Sequence, residues 1–117
     1  MGEQPGLAIS RSDNVTIVSF RDVPMLDTPT IQRVAAELYA VVEAPLSPRV
    51  VLDFGDVRFL SSQTLGVLLT FRRKADKANV TAAIAGIRPE LARVFEITNL
   101  TELFKFYQNT EEAIADL

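Results

Sequence analysis

Leu7, Ile9 and Arg11 alternate with Ala8, Ser10 and Ser12, and after Asp13-Asn14 a run from Val15 to Phe20 is rich in β-branched and aromatic residues. Strand-forming runs on either side of a polar pair predict a β-hairpin. Asp13 and Asn14 tolerate the left-handed backbone that a two-residue turn requires, which puts the turn there. A loop is expected from Arg21 to Asp27. From Pro29 the period changes: Ile31, Val34, Ala35, Leu38, Tyr39 and Val42 fall at the i, i+3, i+4, i+7 spacing of one helical stripe. Thr28 is expected to cap this helix, with Pro29 at the first helical position, where its missing N–H would be unpaired anyway. Pro45 and Pro48 end the segment.

Val50 to Phe54 is nearly continuous apolar sequence interrupted by Asp53, as in a strand buried on both faces. A second helix is expected to begin at Ser61 or Ser62 and run to about Ala78. It is apolar through Leu65, Val67, Leu68, Leu69 and Phe71 and charged at Arg72, Arg73, Lys74, Asp76 and Lys77, so its front half reads as buried and its back half as solvated. Basic residues near a helix C-terminus also complement the partial negative charge there. Val80 to Ala85 reads as another buried strand. Pro89 opens a third helix, whose Leu91, Val94, Phe95 and Thr98 share a face and whose left-handed C-cap is Asn99. A short strand is expected at Lys105 to Tyr107. Asn109 and Glu112 form a reciprocal cap on a last helix that carries Ala113, Ile114 and Leu117.

A hairpin followed by alternating strands and helices implies parallel pairing and right-handed crossovers. The fold class is therefore α/β: a mixed, largely parallel sheet of four to five strands with helices packed mainly on one face. The 117 residues, 48% apolar and 23% charged, suit one domain spanning residues 1–117.

Composition narrows the chemistry. The chain has no His and no Cys, which removes the commonest general base, the commonest metal ligand and every thiolate site. No Walker-type GxxxxGK[ST] loop is present, and no Ser-Lys or paired-carboxylate spacing stands out. The expectation is a protein that is not an enzyme and has no cofactor and no metal. Twelve basic against fifteen acidic residues give a net charge of -3, which is no electrostatic footprint for nucleic acid. The residues from Met1 to Gly6 lack the basic flank and apolar run of a signal peptide, and no stretch approaches the roughly 20 apolar residues of a membrane span. A cytoplasmic protein that binds another protein or a small molecule is the expected class.

The informative segment is VLDFGDVRFLSSQTLGVLL, Val51 to Leu69. An apolar strand runs through a loop containing Gly55 and Asp56 into a serine pair that opens a helix. Hydroxyls there sit at the positive end of the helix dipole, among N–H groups without partners, a position that favours a phosphate. The same serines also suit plain N-caps. Thr64 reads as a second acceptor or as a helical Thr bonded back to the preceding turn. Gly66, unfavourable inside a helix by about 1 kcal/mol relative to Ala, implies close packing or a close partner. Asp53 either holds its loop or flanks the phosphate position. Asp27 either caps the first helix or meets a partner, and the basic residues of the second helix read as a solvated face.

Over Val50 to Leu69 the chain resembles the STAS domain family, specifically its single-domain anti-sigma factor antagonists. An apolar strand ending in Asp leads through a loop to an aromatic-apolar pair and then to Ser61, Ser62, Gln63, Thr64, Leu65 and Gly66, where the family commonly has Asp-Ser-Ser-Gly-Leu-Gly. Leu26-Asp27 and the segment GIRPELARVFEITNLTELFKFYQNTEEAIADL extend the likeness to nearly the whole chain. The resemblance implies a partner-switching regulator with no catalysis of its own. In that scheme an anti-sigma factor that is also a serine kinase phosphorylates Ser62, and a PP2C-type phosphatase resets the cycle. The implied partner surface comprises Asp27, Leu60, Ser61, Ser62, Gln63, Thr64, Leu65 and Gly66. Two departures stand out: Ser61 replaces the family Asp, and Gln63-Thr64 replaces the small pair. The other reading the family allows is an accessory or scaffold subunit of a lipid-transport or stress-signalling complex, with no phosphate cycle.

Overall fold

A computed structural model of the chain describes residues 7–20, 23–43 and 47–117. The readings made at residues 1–6, at Arg21 and Asp22 and at Pro45 lie outside the described residues. The hairpin forms as expected, with β1 (Ala8–Ser12) and β2 (Val15–Ser19) antiparallel. Asp13 and Asn14 turn it at φ 53° and 64°, the left-handed pair that lets two residues reverse the chain without splaying the strands.

Three strands follow on one side of the hairpin: β4 (Arg49–Asp53), β6 (Thr81–Ala85) and β7 (Lys105–Tyr107), giving the sheet order β1-β2-β4-β6-β7. Every pairing after the hairpin is parallel. Parallel neighbours need long connections, and these are α1 (Thr28–Glu43), α2 (Ser62–Lys77) and α3 (Pro89–Ile97). Strand alternation sends Val18, Val50, Leu52, Ala82 and Ile84 to one face, where they pack with Ile31, Leu38, Leu68, Phe71 and Phe95 of the three helices. On the other face Val15, Val51, Ala83 and Ala85 meet Ala113 of α4 (Thr110–Asp116). Helices therefore cover mainly one face, as the sequence implies.

The stripe of α1 is buried through Ile31, Val34, Leu38 and Val42. Its cap is Asp27 rather than Thr28, which is itself the first helical residue. Asp27 Oδ1 accepts from the Thr30 N–H at 3.1 Å. At α4 the reciprocal cap is half as expected. Asn109 Oδ1 accepts from the Glu112 N–H at 2.8 Å, but the Glu112 carboxylate accepts from Gln108, not from Asn109. Asn99 takes φ 60° just past α3, as a left-handed C-cap should.

Two segments read as loop contain strands. β3 (Met25–Leu26) and β5 (Phe59–Leu60) pair in parallel as a separate two-stranded ladder, Met25 opposite Phe59 and Leu26 opposite Leu60. Two-residue strands have no periodicity to read. Their effect is large, because β3 leads into α1 and β5 into α2, so the ladder ties the N-termini of the two helices side by side.

Candidate functional site

Ser61 is the N-cap of α2, in extended conformation, with its side chain accepting from the Thr64 N–H at 3.3 Å. Its own N–H donates to Leu26 O of β3 at 2.9 Å. Thr64 is fully buried, and its hydroxyl donates to the same Leu26 carbonyl at 2.7 Å. That bond spans two elements, and the same hydroxyl also lies 3.2 Å from Ser61 Oγ, so Thr64 acts as a rivet between the helix heads. A buried threonine offers a partner no surface, which corrects its inclusion among contact residues.

Ser62, at the first position of α2, is exposed, as are Gln63 and Gly66. No acidic residue occupies the first turn of α2 itself, so no charge on the helix opposes the positive end of its dipole at Ser62. Helical spacing puts Ser62, Gly66 and Leu69 on one exposed face, with Leu69 37% exposed. Gly66 has nothing within 4 Å of where a Cβ would stand. Packing inside the domain therefore does not require glycine here. Ser62, Gln63, Gly66, Val67 and Thr70 line a shallow groove of about 370 Å³ with Tyr39 of α1 across it. Lys74 fixes the far part of this helix pair, bonded to Glu43 at 2.6 Å and lying 5.3 Å from the centre of the Tyr39 ring.

Asp27 stands next to Ser61 across the ladder, one residue beyond the paired Leu26 and Leu60. Hydrogen bonds from Thr30, through its side chain and then its backbone, hold the Asp27 carboxyl below the usual carboxylate value. It is a helix cap that also puts a negative charge at the edge of the site.

Leu60 and Leu65 are half-buried and pack against the main core. The large apolar side chains exposed at the head of α1 and α2 are instead Met25 and Phe59, with Leu69 further along α2. Sequence reading passed over Met25 and Phe59 because two-residue strands give no alternation to follow. It assigned Leu69 to a buried half-helix because the apolar run around it has no polar interruption.

Asp53 holds its own loop: Oδ1 accepts from the Gly55 N–H at 2.9 Å, and Ser19 Oγ donates to Oδ2 at 3.4 Å. The basic stretch of α2 is partly used inside the domain, with Arg72 bonded to Leu103 O and paired with Asp76. Among the described residues, no group of His, Cys, Asp and Glu could hold a metal ion, and no helix is long and apolar enough to cross a membrane.

The decisive comparison is a match of residues 7–113 to the STAS domain family. The chain belongs to the STAS domain family. Among curated relatives, a STAS-domain containing protein of Pseudomonas aeruginosa is 35% identical over 57 residues, which cover 49% of this chain and 56% of that protein. BtrV of Bordetella bronchiseptica, provisionally named an anti-sigma factor antagonist, is 27% identical over 109 residues, 93% of this chain and 91% of BtrV. Among solved structures, an anti-sigma factor antagonist (STAS) domain protein from Planctomyces limnophilus superposes with a TM-score of 0.87 at 20% identity, covering 97% of this chain and 98% of the other. SpoIIAA of Bacillus, solved in a phosphorylated form, superposes with a TM-score of 0.71 at 15% identity, covering 93% and 96%. At these identities the two structures establish the STAS fold. Among the described residues that fold is a mixed sheet of five strands with four α-helices and the separate β3–β5 ladder.

Proposed function

We propose that this STAS domain is an anti-sigma factor antagonist that binds an anti-sigma factor of the serine-kinase type when unphosphorylated and releases it when Ser62 is phosphorylated. The observation that carries the reading is the exposed Ser62 hydroxyl at the first position of α2, on a face with Gly66, where a Cβ would meet open space, and with Leu69, which is 37% exposed. The provisional name of BtrV, aligned over most of both chains, supports the same role.

The switch works by charge and hydration. Phosphorylation adds about -1.5 to -2 charges at neutral pH. The first-turn N–H groups and the dipole of α2 stabilise that charge within the domain, so the fold survives. Docking does not survive it, because a dianion on this face must lose its water when a partner covers it, and acidic groups on the partner repel it. Ser61 remains a cap, bonded to the Thr64 N–H, while Asp27, Gln63 and Gly66 form the rim of the contact. The domain performs no catalysis of its own, works in the cytoplasm, and is reset by a PP2C-type phosphatase.

Phosphopeptide mapping after incubation with ATP and the serine kinase that the immobilised domain retains from source cells tests the assignment. Label on Ser62 is expected. Label on Ser61 would refute the register, and an unlabelled domain whose binding is indifferent to Ser62→Asp would leave a scaffold subunit without a phosphate cycle.

A further inference from the structure

The β3–β5 ladder has an inner and an outer side. Leu26 is fully buried and Leu60 packs on the core, so alternation turns their neighbours Met25 and Phe59 outward. The two are register partners, 51% and 47% exposed, and register partners on parallel strands project to the same side. Single exposed apolar residues are ordinary on a protein surface, but a contiguous pair calls for an account. This pair is also rigidly held: the N–H groups of Arg58 and Phe59 donate to Pro24 O at 2.7 and 3.1 Å, and Ser61 N–H donates to Leu26 O at 2.9 Å.

We infer that Met25 and Phe59 are the affinity anchor of the face that carries Ser62, seated in an apolar concavity of the anti-sigma-type partner. The inference rests on the function proposed above and commits to the occupant of that surface. Continuity supports it, since Phe59 lies three residues before Ser62 on the strand that feeds α2, and Leu69, 37% exposed, lies about two turns beyond Ser62 on the same helix. The backbone under both side chains is already fixed by these bonds, and the Phe59 ring has few rotamers to lose, while the unbranched Met25 side chain can adapt to the partner surface. The arrangement also couples anchor and switch. An apolar contact is favourable only when water is excluded, and a phosphate dianion beside it retains water.

Site-specific photocrosslinking in source cells tests this, with p-benzoylphenylalanine introduced singly at positions 25, 59, 63 and 97 of the full chain. Position 63 reports on the Ser62 face, and position 97, where Ile97 is 75% exposed on α3, is the control. The expected result is that positions 25 and 59 capture the same polypeptide as position 63, that position 97 does not, and that Ser62→Asp lowers all three adducts about tenfold or more. The captured protein, purified, should bind Phe59→Ser at least about tenfold more weakly than wild type, with the melting temperature unchanged. Adducts at 63 but not at 25 or 59 would overturn the anchor and leave the proposed function standing. Adducts at 25 and 59 with a second copy of this chain would make the pair a self-association face and overturn the anchor. An absence of adducts at 25, 59 and 63 would overturn both.

Discussion

Gly66→Ala should make the domain more stable. Gly66 is the fifth residue of the 16-residue α2, well inside the helix, where glycine is less favourable than alanine by about 0.8–1 kcal/mol. Apart from the helix's own backbone and the adjoining residues, a methyl group at this position meets no atom within 4 Å, so no tertiary clash offsets that gain. The position is exposed, so little is added by burial. The net expectation is a stabilisation of about 0.5–1 kcal/mol, or about 2–5 °C in melting temperature for a domain of this length. Urea unfolding followed by far-UV circular dichroism should show a higher midpoint at an unchanged slope. The same substitution should weaken partner binding, because the added methyl projects from the face that carries Ser62. A lower midpoint would show that Gly66 serves the fold through a contact the geometry does not contain. A higher midpoint with undiminished partner affinity would show that the glycine does not serve docking.

Leu38→Ala should destabilise by about 2–5 kcal/mol in urea unfolding, since Leu38 is fully buried in the α1 stripe, and a loss under about 0.5 kcal/mol would contradict that packing. Thr64→Val, which keeps shape and removes the hydroxyl's bonds to Leu26 O and to Ser61 Oγ at 3.2 Å, should cost about 1–2 kcal/mol in the same assay. The cost stays modest because Leu26 O keeps the Ser61 N–H as a donor and Ser61 Oγ keeps the Thr64 N–H, and an unchanged midpoint would show that the hydroxyl does not join the helix heads. Tyr107 donates to the Asp116 carboxylate, which pushes its pKa up to about 12. Its folded value lies above the unfolded value near 10, so this bond stabilises fully below about pH 10 and is lost as pH rises through about 12. Phenolate absorbance should show the raised titration in wild type and its loss in Asp116→Asn.

How much of the site could be read from the residues differs from element to element. The start of α2 was legible because capping chemistry is local: Ser61 accepts from an N–H three residues on, a spacing written in the sequence. The hairpin turn was legible for the same reason, since Asp13 and Asn14 carry their left-handed tolerance with them. The Thr64 bond was not, because its acceptor lies 38 residues back in a strand of two residues. The exposed face of α2 was obscured by its own sequence, where Leu65, Val67, Leu68 and Leu69 are equally apolar and only the packed partners decide which are covered. Asp27 carried two readings, cap and partner contact. The capping bond is present, and its position beside Ser61 follows from the β3–β5 register, which no local pattern announces.

Phosphate on Ser62 should switch partner binding without disturbing the fold. The most direct measurement is the affinity of the retained kinase-type partner for wild type, Ser62→Ala and Ser62→Asp, with melting temperatures taken in parallel. Ser62→Ala should bind like wild type and take no label, while Ser62→Asp should melt like wild type and bind at least about tenfold more weakly, about 1.4 kcal/mol. Equal affinity of all three for that partner would contradict the switch.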